Sequence, residues 1–572
     1  MSEEVRGPKA PKDPTKKRKC FYIMRNKGIA AAPKADGKGV CYIYENDGRM
    51  ISASRLVGGI TDETELDLLL TTEGFRKLVH SIGVTVESQD EIGDVTFVFQ
   101  MYGKSDVYGS GTNIVAKVPS NGMEVPIILD ELDWSDDDNE PGQIRFEFEK
   151  SGVTVDVSVC FYLNDGYDAP EPEDENPVEF SSKEYQEMIA RSLMQEGNNF
   201  RVKKAIEKAR RGEDTTIAFI GGSITQGAGA VPINSECYAR KIFEGFCDIA
   251  GRKYDDNVHY IKAGVGGTPS ELGMLRYERD ILDEGTPDLV VVEFAVNDEG
   301  DETKGECYDS LVRKIYNGPG NPAVVLIFAV FADDFNLQER LSPVGKKYEL
   351  PMVSTKNSVT EQFYKKSGAG RVVSKNQYFY DRYHPSNTGH RIMADGVIHM
   401  LKLADTADLD DEIPSLDTYE APIGGDFENV IRIDRDKNPT KAVIDCGSFT
   451  SVDTEIQAVE RNMDLFTTPQ FKNNWMYLPK EGEAFKPFTM DVECKTLLLI
   501  FKDSAENRTG KADVFIDGEK TLYADPKEVG WTHVNALICY RSDEKKMHHV
   551  EVRMAEGSEN KEFTIFGFGV VE

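Results

Sequence analysis

The sequence predicts a parallel α/β unit set between two mainly-β units, and three observations carry that reading. In the middle of the chain, wholly apolar runs such as "DLVVVEFAV" and "AVVLIFAVF" alternate with helical stretches, as in a parallel sheet covered on both faces. Before it, "QIRFEFE" alternates Ile144, Phe146 and Phe148 with polar residues, the period-two mark of half-buried strands. After about Asp405 the short-strand rhythm returns, with an Asp517-Gly518 hairpin signal inside "DVFIDGEKTLYAD".

In chain order, residues 1–18 are Lys- and Pro-rich and are expected to be disordered. Residues 19–165 hold "GVCYIYEN", "DVTFVFQMYG", "EVPIILDELDW" and "QIRFEFEKSGVTVDVSVCFYL", which predict an all-β sandwich with one helical piece near "ETELDLLLTTEGFRKLVHSIG". Residues 166–182, rich in Asp, Glu and Pro, read as a linker. Residues 183–405 open on one helical stretch, "SKEYQEMIARSLMQEGNNFRVKKAIEKARRGE", and then alternate strand and helix: "TTIAFIGG", "ECYARKIFEGFCDIAGR", "HYIKAG", "SELGMLRYERDILDEG", "DLVVVEFAV", "ECYDSLVRKIYN", "AVVLIFAVF". Residues 406–572, with "TLLLIFKD", "HHVEVRMAE" and "FTIFGFGVV", predict a second β-sandwich.

The totals exclude some functions. The chain has 572 residues, more than one core supports, and Lys+Arg 67 against Asp+Glu 99 gives a net charge of −32. Nucleic acid and anionic membrane surfaces need basic patches, so neither is the expected partner. No apolar run approaches the ~20 residues of a membrane span, and the polar start shows no signal peptide, so a cytoplasmic address is expected. Nine dispersed cysteines without a CxxC pair read as free thiols. Oligomeric state is not legible.

Four short motifs of the α/β unit carry chemistry. In "GGSIT", the glycines permit a tight strand-to-helix turn that presents the Ser223 hydroxyl, although a serine in this position more commonly caps a helix. In "AGVGGTPS", the Gly267 N–H could face an anion, or the run could be a plain tight loop. In "EFAVND", Asn297 could offer its amide, or Asn-Asp could simply form a turn. In "YDRYHPSNTGHRIMADGVIHMLKLA", Pro385 holds His384 extended, Ser386 or Asn387 can cap the next helix, and Met393, Val397, Met400 and Leu401 form its buried stripe. Asp381 could hydrogen-bond His384 Nδ1–H, leaving Nε2 as a base for Ser223. The other histidines, His80, His259, His390, His399, His533, His548 and His549, read as surface, helix or strand residues. Each motif alone is ambiguous. Their shared order and context make coincidence improbable.

The set "GGSIT", "AGVGGT", "AVND" and "DRYHP" resembles the SGNH hydrolases, also called the GDSL esterase/lipase superfamily. That resemblance implies a flavodoxin-like three-layer fold, Ser223 as nucleophile, His384 as base and Asp381 as its partner. It also implies an oxyanion hole from the Ser223 N–H, Gly267 and Asn297, with no cofactor. Gly222 stands where the family usually has Asp, and Ala295 where it has Gly, which suggests a subgroup. "GGSIT", "EFAVND" and "LPMVS" resemble bacterial carbohydrate acetylesterases acting on acetylated xylan or mannan oligosaccharides, several of which carry a galactose-binding-like β-sandwich beside the hydrolase.

An acetylated oligosaccharide is therefore the expected substrate. A lipid or aryl esterase, or a sugar-binding protein with a vestigial hydrolase core, are the alternatives. Trp134, Trp475 and Trp531 are candidate sugar platforms, though each is read first as core. "WSDDDNE" offers oxygen ligands for Ca²⁺, but reads as a solvated loop, so no metal is expected.

Overall fold

The computed structural model describes residues 17–34, 39–45, 49–173, 175–254, 256–455 and 471–572. The expected disorder of the first residues falls almost wholly outside these.

Apolar alternation builds the N-terminal unit. A four-stranded antiparallel sheet, in the order Cys20–Ala30, Thr154–Leu163, Val79–Glu87 and Val125–Ile128, faces a five-stranded one. The latter runs Ala32–Pro33, Val40–Glu45, Asp138–Phe148, Asp94–Gly103 and Asn113–Pro119. Phe21, Phe75, Phe97, Phe99, Phe146 and Phe161 fill the space between them. The single expected helical piece is two helices, Glu63–Leu68 and Thr72–Leu78, split where Thr71 caps the second through the Gly74 N–H. A further helix, Arg49–Leu56, had no sequence signal. The segment read as a linker is tied down: Glu173 pairs with Arg371 at 2.6 Å, and Glu175 accepts from Asn376 at 2.7 Å.

The central sheet has the order Leu193–Gln195, Met352–Ser354, Ala323–Phe328, Leu289–Glu293, Thr215–Gly221, Val258–Gly264. All but the first strand are parallel. The parallel strands, numbered along the chain, read 5-4-3-1-2, the flavodoxin-like order, and the predicted three layers are present. Phe200–Arg210, Tyr238–Ala250 and Asn387–Thr406 cover one face; Ser270–Tyr277, Glu306–Tyr316 and Gln338–Lys347 cover the other. The opening helix is not continuous as expected. It breaks into Lys183–Ala190 and Phe200–Arg210 around the edge strand, because Gly197 passes at φ +66° so close to the Leu350–Pro351 backbone that no Cβ would fit.

Among the described residues, the C-terminal unit is hydrogen-bonded as one eight-stranded antiparallel sheet, whose long strands Phe488–Asp503 and His533–Met554 shift register between Cys494 and Thr496. The Asp517-Gly518 hairpin is present, with φ of 53° and 88° as its turn requires. Leu498, Ile500, Val534 and Phe566 join Leu272 and Leu275 of the α/β unit in one buried cluster. The C-terminal sheet is thus part of the wall behind the candidate site.

Candidate active site

Register puts the loops on one rim. Gly221 pairs with both Gly264 and Glu293, so three adjacent parallel strands end level, and Ser223, Gly267 and Asn297 follow them. This is the carboxyl edge where open α/β sheets bind ligands.

Ser223 does not cap a helix. The cap position is Gly222, and Ser223 opens the four-residue helix Ser223–Gln226. Its Oγ lies 2.9 Å from His384 Nε2. His384 Nδ1 lies 2.9 Å from Asp381 Oδ2, while Asp381 Oδ1 accepts the backbone N–H groups of Tyr383 at 2.8 Å and His384 at 2.9 Å. The carboxylate accepts the Nδ1 proton, which leaves Nε2 free to accept from the hydroxyl. Burial alone would raise Asp381, but the His384 charge and hydrogen bond, with the Tyr383 N–H, hold it below the ordinary carboxylate range.

The loop is held from several sides. The Tyr380 N–H donates to His384 O, and the Ser386 N–H to Tyr378 O, both at 2.8 Å. Ser386 caps the following helix through the Gly389 N–H, and Met393, Val397, Met400 and Leu401 are buried. Asn387 does something else: it clamps the Val231 peptide, accepting its N–H at 2.8 Å and donating to its O at 2.7 Å. Gly229, at φ +86°, lies where a Cβ would sit 2.2 Å from Pro385 O.

Asn297 presses its amide onto Gly222. A Cβ on Gly222 would lie 2.2 Å from Asn297 Oδ1. A side chain on Gly222, where the family usually has Asp, would therefore have to displace the Asn297 amide. Gly267 is exposed, with φ +68°. Its carbonyl faces His533 Nε2 at 3.0 Å, and a Cβ there would meet the Trp531 ring at 2.7 Å.

Two histidines, read from the sequence as helix or strand residues, sit on a helix and a strand and have partners that reading did not give them. His533 Nδ1 lies 2.8 Å from Asp503 Oδ2, a second Asp–His pair beside the site. His390 is fully buried, accepts the Tyr238 N–H and donates to Ala228 O at 3.0 Å, and burial pushes it down to about 3, so it stays neutral. Their partners lie far away in sequence, which is why no local pattern marked them. Of the tryptophans, Trp475 is core, Trp134 is half-buried with its indole N–H on Leu129 O, and Trp531 borders the site. Tyr383, beside His384 and 46% exposed, packs edge-on against Phe331. The N-terminal unit also reaches the loop: Lys27 donates to Tyr380 O, and the Tyr42 and Tyr380 hydroxyls bond.

Among the described residues, one group has metal-ligand spacing: Glu271, Asp301 and Cys307, buried and within 4.8 Å of one another. The acids of "WSDDDNE" serve the fold instead, with Asp137 accepting from Ser105 and Asp138 from Thr112. All nine cysteines are free thiols, and among the described residues no helix is long and apolar enough to cross a membrane.

Residues 219–392 match the GDSL-like Lipase/Acylhydrolase family. No curated protein matches the chain. A crystal structure of a two-domain esterase active on acetylated mannans is 28% identical, with a TM-score of 0.56, and aligns over 67% of this chain and 98% of its own. The same esterase co-crystallised with mannopentaose aligns with equal identity and TM-score over 67% of this chain and 97% of its own. An acetylxylan esterase from Geobacillus stearothermophilus aligns over 35% of this chain and 98% of its own, at 17% identity and a TM-score of 0.26. The family match lies across the rim loops and the esterase alignment extends well beyond them, so the α/β unit of this chain carries a GDSL-like acylhydrolase domain.

Proposed function

We propose that the chain removes O-acetyl groups from acetylated oligosaccharides of the mannan or xylan type through an acetyl-serine intermediate. The observation that carries this reading is the 2.9 Å contact of Ser223 Oγ with His384 Nε2, backed by Asp381. Ser223 Oγ attacks the acetyl carbonyl while His384 Nε2 takes its proton, and Asp381 stabilises the resulting imidazolium. The oxyanion is received by the N–H groups of Ser223 and Gly267 and the amide of Asn297. His384 returns the proton to the departing sugar oxygen. Water, deprotonated by the same nitrogen, then attacks the acetyl-serine; acetate leaves and Ser223 recovers its proton.

The substrate class is supported by the esterase neighbour, which acts on acetylated mannans, and by the aromatic rings of Trp531 beside Gly267 and Tyr383 beside His384. In this reading 183–405 is the hydrolase, 406–572 a sugar-handling sandwich, 19–165 a second sandwich joined through 166–182. Acetate release from acetylated mannan and xylan oligosaccharides, with long-chain nitrophenyl esters for comparison, tests it. Turnover restricted to the long-chain esters, or unchanged in Ser223→Ala, would overturn it.

A further inference from the structure

The Asp503–His533 pair has no part in the mechanism above, yet it sits on a loop that does. Both residues belong to the C-terminal sheet, and both are sequestered: the His533 side chain is 6% exposed and that of Asp503 0%. Nδ1 faces a carboxylate at 2.8 Å and Nε2 faces the Gly267 carbonyl at 3.0 Å. A carbonyl only accepts, so Nε2 must carry a hydrogen. The ring meets this either as an imidazolium against the Asp503 carboxylate, or as the Nε2–H tautomer with the shared proton on Asp503. Burial raises Asp503 and so keeps the second arrangement accessible. In both, the donor to Gly267 is the same.

The loop is anchored beyond Gly267, where the Ser270 N–H and hydroxyl donate to the Asp298 carboxylate at 2.7 and 2.9 Å. Within the α/β unit, the Val265 N–H holds Gly221 O at 3.1 Å, and the Thr268 hydroxyl holds Val265 O at 2.8 Å. Neither bond touches Gly267. A glycine has the widest conformational freedom of any residue, and this one stands exposed at φ +68°. The direction of its N–H follows from how its two flanking peptides are turned. His533 grips the one that carries the Gly267 carbonyl, and the Trp531 indole, its ring centre 4.5 Å from that of His533, packs against the same face of the residue.

We infer that His533, oriented by Asp503, is a positioning residue for the reaction: the C-terminal unit fixes the Gly267 carbonyl, and with it the backbone torsions that aim the Gly267 N–H at the oxyanion. The inference rests on the esterase reading of Ser223. It makes the C-terminal unit part of the acyl-transfer machinery, beyond any role in holding sugar.

The test uses the full chain with His533→Phe, which keeps ring volume without a donor, and His533→Gln, whose amide nitrogen can reach the same carbonyl. The substrate is 4-nitrophenyl acetate, which carries no sugar, and thermal melting confirms folding. The expected result is a fall in kcat on the order of 10²-fold for the Phe variant. KM should stay within about threefold, with the Gln variant recovering most of the rate. A Phe variant with kcat near that of the wild type, or a folded Gln variant as slow as Phe, overturns the inference while the esterase reading stands. A wild-type chain inert toward every acetyl ester instead defeats the esterase reading itself. Should the variants not fold, the ¹⁵N-histidine spectrum of the wild-type protein decides: a His533 ring with a bare Nε2 overturns the inference, and a protonated Nε2 upholds it.

Discussion

Gly222→Ala isolates one contact at the candidate oxyanion hole. Gly222 has φ −84°, so the argument concerns space and not backbone strain. The added methyl would lie 2.2 Å from Asn297 Oδ1, 2.7 Å from Cγ and 3.0 Å from Nδ2. Ordinary contact begins near 3.4 Å, so the amide must retreat by about 1 Å. A misplacement of that size can cost on the order of 10²-fold, and loss of one oxyanion donor costs about 10²–10³ in kcat, roughly 3–4 kcal/mol. Gly222→Ala should therefore lose about 10²-fold in kcat on 4-nitrophenyl acetate, with KM little changed and a melting temperature close to wild type. Asn297→Ala should lose a similar factor by removing the same donor. Because one side chain mediates both losses, the double variant should be scarcely slower than either single one. Losses that multiply in the double variant, or a Gly222→Ala enzyme within about threefold of wild type, would refute this account of the site.

Other outcomes follow from the same geometry. Gly229→Ala combines a left-handed φ of 86° with a 2.2 Å approach to Pro385 O, so it should destabilise by roughly 1–3 kcal/mol and slow turnover by moving the His384 loop; melting and kcat measured together check both. Trp531→Ala should raise KM for acetylated oligosaccharides about tenfold, as expected for uncovering roughly 50–100 Å² of apolar ring, and leave KM for 4-nitrophenyl acetate unchanged; an equal rise on both esters would contradict it. Glu293 is fully buried, and burial pushes its carboxyl up to about 8, against about 4.3 in the unfolded chain. Between those values the unfolded state is ionised and the folded state is not, so stability falls as pH rises, by at most about 1.4 kcal/mol per unit. Glu293→Gln should match wild type near pH 4 and exceed it increasingly toward pH 8, measured by urea unfolding; a constant difference would refute the neutral-acid assignment.

Much of the fold was legible because its causes are local. Continuous apolar strands separated by helical stretches require a sheet with two covered faces, and 5-4-3-1-2 is one of the few orders such a pattern takes. The candidate site residues were legible because each stands next to a backbone signal: glycines before Ser223, a proline after His384, a strand end before Asn297. The opening helix was misjudged, since Gly197-Asn198-Asn199 was read through as helical when the glycine actually slips the chain past Leu350 and Pro351.

From the sequence alone came the positions of the rim loops, the Ser…Asp…His order and the family to which they point, all written in short-range patterns of Gly, Pro and apolar residues. Tertiary structure alone decided which distant side chains press on those loops. His533 meets Gly267 across 266 residues of chain, and Lys27 meets Tyr380 across 353. It also set against Gly222 an amide 75 positions downstream. Periodicity records which face of an element is buried; it carries no record of what lies against that face. Contacts between units depend on how whole sheets dock, and that is settled only when the chain has folded.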